Sequence, residues 1–149
     1  MADPLLLSPF PPAGPAKLVR RRLLLVDDDL SVAKFLAHAA EECGFEAVIT
    51  VTAESFRSQL KAQAPDLLVL DLALPGSDGV ELLRFLAGEK SRARIILISG
   101  FDVRVLEAAM RLGAAMGLNM APPLHKPVRL NQLMAAMLDE EVENEPCLG

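Results

Sequence analysis

The sequence predicts an α/β fold, a five-stranded parallel sheet with helices on both faces. Three observations carry that prediction. Residues 23–26, 67–70 and 95–98 are apolar at every position, as strands are when both of their faces are covered. Segments with apolar residues at helical spacing lie between them. The hydrophobic fraction is 52%, yet Tyr and Trp are absent, so the core must be largely aliphatic. A length of 149 residues fits one domain.

Residues 1–21 form a leader containing Pro4, Pro9, Pro11, Pro12 and Pro15. Proline lacks a backbone donor and fixes φ, so a disordered, polyproline-like tail is expected there. Leu23-Leu24-Leu25-Val26 is the first strand, stopped by acids. From Ser31 to Cys43, the residues Val32, Phe35, Leu36 and Ala39 share one helical face, and Gly44 is a stop signal. Residues 46–51 are strand-like. Thr52 caps a helix that runs to about Ala62, with Glu54 and Ser55 in its first turn. Asp66 leads the third strand, residues 67–70. Pro75, Gly76, Ser77, Asp78 and Gly79 make a turn-rich loop before a helix over 80–87. Ile95-Ile96-Leu97-Ile98 is the fourth strand, closed by Ser99-Gly100. Residues 103–116 are helical and end at Gly117. Residues 120–124 form a weak strand with Pro122 and Pro123 inside it, and residues 129–138 are the last helix. The domain therefore spans 22–138, and residues 139–149 form an acidic tail with Pro146. Strands and helices that alternate in this way build a parallel sheet covered on both sides.

A net charge of −5 and a pI near 5.0 argue against direct nucleic-acid binding, which needs a positive surface. Lys17, Arg20, Arg21 and Arg22 are a local exception, read as a solvated lead-in to the first strand. No apolar run reaches the length of a membrane span. The start of the chain lacks the basic end and unbroken apolar core of a signal peptide. Cys43 and Cys147 form no CxxC pattern, which fits a reducing, cytoplasmic setting.

The polar residues gain meaning on this scaffold. Asp27, Asp28 and Asp29 follow the first strand, Asp71 the third, Ser99 the fourth, and Lys126 ends the fifth. In a parallel sheet all of them arrive at the carboxyl edge, where sites form. Taken singly, an acidic run is also what a solvated loop looks like, and a lone serine or lysine is mostly structural. Clustered carboxylates repel, and a hard cation such as Mg²⁺ relieves them, commonly together with phosphate oxygens. A lysine adds positive charge, the Ser99 hydroxyl can bond an oxyanion, and small Gly100 leaves room beside it. Together they describe a phosphoryl site built around a carboxylate nucleophile.

The run Leu24-Leu25-Val26-Asp27-Asp28-Asp29, the segment from Leu70-Asp71 through Pro75-Gly76-Ser77-Asp78-Gly79, Ile98-Ser99-Gly100 and Lys126-Pro127 resemble the receiver domains of bacterial response regulators. The likeness covers about residues 22 to 138, with the motifs in order. It implies a flavodoxin-like (βα)5 receiver fold acting in two-component or phosphorelay signal transduction. Asp71 is then the phosphoacceptor. Asp28, Asp71 and the backbone carbonyl of Ala73 hold Mg²⁺ directly, and Asp27 acts through a metal-bound water. Ser99 contacts a phosphoryl oxygen, and Lys126 pairs with the phosphoryl group, its bond to Pro127 being cis. Asp29 aligns with a variable position and receives no role. The expected donor is a sensor histidine kinase or a phosphotransfer protein. The expected reader is a downstream protein at the face made by the fourth helix, fifth strand and fifth helix, through which a homodimer could also form. No turnover chemistry is expected beyond self-phosphorylation and slow autodephosphorylation.

Three departures qualify the likeness. The family usually places an aromatic three residues before the lysine, and Pro123 stands there, so the signal must leave Asp71 by another route. The stretch from Ser99 to Lys126 is longer than usual, around Leu112 to Leu118, and with Gly117-Leu118-Asn119 it resembles receivers attached to EAL-type cyclic-di-GMP phosphodiesterases. The chain stops soon after the last helix, so a receiver without an output domain is expected. Two other readings remain open. A module that keeps the fold but binds partners without phosphate is favoured by Pro123 and opposed by the intact Asp28, Asp71, Ser99 and Lys126 set. A haloacid-dehalogenase-type phosphohydrolase needs an acid two residues after its nucleophile, where this chain has Ala73. His38 is expected to face solvent, His125 to be structural, and Met110, Met116, Met120, Met134 and Met137 to pack in or near the core.

Overall fold

The computed structural model describes residues 20–76 and 78–139. The expected proline-rich leader up to residue 19, Ser77 of the turn-rich loop, and the acidic tail from residue 140 lie outside the described residues. The elements run β1 (Arg21–Val26), α1 (Leu30–Glu42), β2 (Phe45–Thr50), α2 (Ala53–Ala62), β3 (Leu67–Asp71), α3 (Gly79–Gly88), β4 (Arg94–Ser99), α4 (Val103–Ala115), β5 (Asn119–Met120), β6 (Leu124–His125) and α5 (Leu130–Leu138). Every strand pairing is parallel, and the order is β2-β1-β3-β4-β5, with β6 also on β4. Among the described residues this is the expected five-position sheet with five helices.

The strands divide their side chains between two cores, as a period of two requires. Leu23, Leu25, Leu67, Val69, Ile96 and Ile98 pack with Leu36 of α1 and Leu133 of α5. The alternate residues Leu24, Val26, Leu68, Leu70, Ile95 and Leu97 pack with Phe56 of α2, Leu82 of α3 and Leu106 of α4. Leu25, Val69 and Ile96 are fully buried. This explains why the three runs carry no polar position.

Polar side chains start most helices. Asp29, Thr52, Asp78 and Asp102 accept hydrogen bonds from the first-turn amides of α1, α2, α3 and α4, satisfying donors that a helix start leaves orphaned. α5 starts at Arg129 without a side-chain cap.

Most boundaries shift by a residue from expectation, and two differences matter more. β1 begins at Arg21, inside the expected leader, where the Arg21 guanidinium lies 4.8 Å over the Phe45 ring. The fifth strand is split. Asn119 and Met120 pair with Arg94 and Ile95, then Leu124 and His125 pair with Ile98 and Ser99. The Ala121 amide still reaches the Ile95 carbonyl at 2.8 Å. Pro122 and Pro123 have no amide to continue the ladder, and this position is tolerated because it is the sheet edge.

Gly113 brings α4 close to β5, because a Cβ there would stand 2.6 Å from Met120 Sδ. Met110, Met116 and Met120 pack against the α2–α4 core, Met134 packs against the other core and Met137 is buried in it. His38 is exposed, with Nε2 3.9 Å from Glu42. Asp139, expected in the tail, is described: it ends α5 in a left-handed conformation and lies 3.2 Å from Arg94.

Candidate functional site

Strand register assembles the site. Val26 lies opposite Leu70, so the next residues, Asp27 and Asp71, arrive side by side. Asp71 lies opposite Ile98, and Ser99 follows it. Ser99 lies opposite His125, and Lys126 comes next. The strand order reverses between β1 and β3, so this is also the crevice at a topological switch point. Thr50, which the sequence reading passed over, holds the end of β1: its hydroxyl donates to the Leu25 carbonyl at 2.7 Å, and its carbonyl accepts from the Asp27 amide at 3.2 Å.

Asp27, Asp71 and Ser99 are buried, while Asp28 is exposed. Carboxylate oxygens of Asp27, Asp28 and Asp71 lie within 4.8 Å of one another. The Ala73 amide donates to Asp71 Oδ1 at 2.9 Å, and Lys126 Nζ donates to Asp71 Oδ2 at 3.0 Å. The same ammonium stands 3.1 Å from Asp27 Oδ2, but that contact lacks hydrogen-bond geometry, and the oxygen is buried without a hydrogen-bond partner. Asp27 Oδ1 accepts from the Asp29 amide at 2.9 Å. Ser99 Oγ accepts from the Phe101 amide at 3.0 Å. The Lys126–Pro127 bond is cis, as expected, and the Lys126 amide donates to the Ser99 carbonyl at 2.8 Å. Asp29, which received no role, caps α1 while its own amide steadies Asp27.

The charges are strained without a cation. Burial pushes the Asp27 carboxyl above its ordinary range, and the Asp71 charge adds to that; the Asp29 amide and Lys126 oppose it and lose. For Lys126, burial alone would lower the ammonium. The hydrogen bond to Asp71, the contact with Asp27 and both negative charges outweigh it, and its pKa rises. Three carboxylates against one ammonium leave a formal surplus of two negative charges.

That surplus and the all-oxygen donor set fit a hard divalent cation. Mg²⁺ binds oxygens at about 2 Å, so ligands on opposite sides of it stand roughly 4 Å apart. The cluster is close to that spacing, and the orphaned Asp27 Oδ2 is an acceptor that such an ion, or a water bound to it, would satisfy.

A parallel α/β sheet with acids, a hydroxyl and a lysine at its switch point is the architecture of a phosphoryl-accepting signalling domain. The family model described as the response regulator receiver domain matches residues 23–138, and the chain belongs to that family. It is similar to the photosynthetic apparatus regulatory protein RegA of Rhodobacter capsulatus, with 33% identity over 119 residues, covering 79% of this chain and 61% of that protein. It is 27% identical over 139 residues to the acid tolerance regulatory protein ActR of Sinorhizobium medicae, covering 91% of this chain and 69% of that one. The chain thus spans 61% of the length of RegA. Among solved structures, a response regulator from Colwellia psychrerythraea superposes with a TM-score of 0.71 at 33% identity, covering 81% of this chain and 96% of that one. The receiver domain of the TMAO respiratory system response regulator TorR gives 0.66 at 26%, covering 80% and 94%.

Proposed function

We propose that this protein is a phosphoacceptor receiver, modified on Asp71 in a Mg²⁺-dependent reaction that switches a protein-interaction face. The observation that carries this reading is the placement of Asp71: a buried carboxylate with one oxygen on the Ala73 amide and the other on Lys126, beside two further carboxylates. A carboxylate oxygen of Asp71 attacks the phosphorus of a phosphohistidine or a small phosphodonor. The new O–P bond forms as the bond to the leaving group breaks, giving an acyl phosphate. Asp28, Asp71 and the Ala73 carbonyl would hold Mg²⁺, with Asp27 acting through a water, and the ion would supply positive charge against the transferring group. Lys126 pairs with another phosphoryl oxygen, and the Ser99 hydroxyl turns from the Phe101 amide to donate to a third. The protein then completes self-phosphorylation and a slow autodephosphorylation, without turnover of an external ester.

The donor is a sensor histidine kinase or a phosphotransfer protein. An apolar groove of about 590 Å³, lined by Val32, Phe35, Pro127 and Val128, opens directly beside Lys126 and offers such a donor a seat next to Asp71. A likeness to EAL-linked receivers is part of this proposal and rests on the sequence from Leu112 to Asn119 alone, of which α4 includes Leu112 to Ala115.

Intact-mass spectrometry after incubation with phosphoramidate and Mg²⁺ tests the reading. The expected result is a gain of one phosphoryl group, abolished by chelating the metal and absent in Asp71→Asn. A gain that survives Asp71→Asn, or no gain in the wild type, contradicts it.

A further inference from the structure

Thr50 ends β2 and is only 5% exposed. Directly after it the chain comes out into solvent, since Val51 is 41% exposed. Residues two apart on a strand share a face, so Thr50 lies on the face of Val48, which packs against the α2–α4 core. Val26, its partner in register, is buried in that same core. Packing there is served equally well by valine, which is β-branched like threonine and of nearly the same size. The hydroxyl is the difference. A buried hydroxyl costs free energy unless it is hydrogen-bonded, and this one donates to the Leu25 carbonyl at 2.7 Å.

That bond falls at a sensitive point. Thr50 grips the end of β1 twice, by its hydroxyl on the Leu25 carbonyl and by its own carbonyl on the Asp27 amide at 3.2 Å. The two contacts flank Val26, the last residue of β1. The rung to Asp27 is at the long end of the range for such bonds. It also lies at the end of the ladder with β2, an edge strand, and ladder ends open first. Immediately beyond it the acids part, Asp27 buried and Asp28 exposed. The Asp29 amide also holds Asp27, but it belongs to the same turn and moves with it. The grip of Thr50 comes from a different strand.

We infer that Thr50 is a positioning residue for the acidic pocket: its hydroxyl fixes the end of β1, and so sets where Asp27 and Asp28 stand and how tightly the pocket holds a divalent cation. The inference rests on the Mg²⁺ reading of the site for its consequence and on the β1–β2 geometry for its cause. Mg²⁺ demands near-ideal octahedral geometry, so small displacements of its carboxylates matter. Removing a group that orients a metal ligand commonly weakens the metal about tenfold or more. Thr50 acts one step farther back, through the backbone. Its expected effect is that of one ordinary hydrogen bond, about fivefold.

Thr50→Val removes the hydroxyl and keeps the shape, and Thr50→Ser restores the hydroxyl without the methyl group. Amide hydrogen exchange of the metal-free protein reads the geometry. In Thr50→Val the Asp27 amide is expected to exchange about fivefold faster relative to the amide of fully buried Val69, and in Thr50→Ser at the wild-type ratio. Isothermal titration calorimetry reads the consequence. Thr50→Val binds Mg²⁺ about fivefold more weakly than the wild type, and Thr50→Ser within about twofold of it. Thr52→Ala is the control for lost stability alone: it removes the exposed cap of α2 and leaves both readouts unchanged. A Mg²⁺ affinity that ignores Thr50→Val overturns the inference and leaves the bond merely structural. So does a loss of affinity that Thr50→Ser shares in full, which assigns the effect to the methyl group. Wild-type protein that takes up no Mg²⁺ overturns the Mg²⁺ reading instead, and amide exchange then decides by itself whether the Thr50 hydroxyl holds Asp27.

Discussion

A buried carboxylate beside a second carboxylate works against folding unless positive charge balances both, and Asp27 shares the single Lys126 ammonium with Asp71, which does not offset its burial. Its folded pKa is raised above the ordinary 3.8. The stability it contributes is therefore fully present below about 3.8 and is lost as pH rises through the folded value. In metal-free protein at neutral pH, Asp27→Asn is expected to raise the melting temperature, with the gain vanishing in acid below 3.8. With saturating Mg²⁺ the order reverses, because the variant has lost a group that serves the ion. Calorimetry across pH, with and without Mg²⁺, checks both signs; a destabilised metal-free Asp27→Asn would contradict the account. The convergence of Asp27, Asp71 and Ser99 was legible in the sequence because each follows an apolar run directly, and Lys126 joined them as the end of the weak fifth strand. Asp29 and Thr50 were not legible. A third aspartate in a row looks redundant until α1 starts on it, and a threonine at a strand end shows nothing of the carbonyl it holds across the sheet.

At the scale of elements, capping gives the cleanest test. Thr52 starts α2, accepting from the Ser55 amide at 3.1 Å, and it is not one of the residues of the site. Thr52→Ala is expected to cost about 1 kcal/mol, a fall of roughly 4 °C in melting temperature, with phosphoryl uptake unchanged; chemical and thermal unfolding read this directly. Strands β1, β3 and β4 were visible as unbroken apolar runs because both faces are covered. The fifth strand was visible only as weak, since its two prolines interrupt the ladder between Met120 and Leu124. A small cavity between α3 and α4 was not visible at all. Its banks lie some thirty residues apart in the chain (Gly79 and Val80 against Val105 and Leu112), and only the packed structure brings them together.

Across the whole molecule, the sheet's register does the work of gathering residues from four strands into one pocket. A ligand that binds this folded pocket and not the unfolded chain must stabilise the protein. At a Mg²⁺ concentration one hundred times the dissociation constant the gain is about 2.7 kcal/mol. Asp28→Ala is expected to remove most of that shift, and calorimetry with increasing Mg²⁺ would show it; an undiminished shift would place the metal elsewhere. The parallel sheet covered on both faces followed from periodicity and its flavodoxin-like form from the resemblance, whereas the route out of the pocket did not, because Pro123 removes the residue that usually marks it. The central claim is that Asp71 becomes an acyl phosphate. Sodium borohydride reduces an acyl phosphate to an alcohol, so phosphodonor treatment with Mg²⁺ followed by borohydride and peptide mass mapping locates the group. The account predicts homoserine at position 71 and at no other carboxylate. Homoserine at position 27 or 28, or a full complement of unreduced aspartates after phosphodonor treatment, would contradict it.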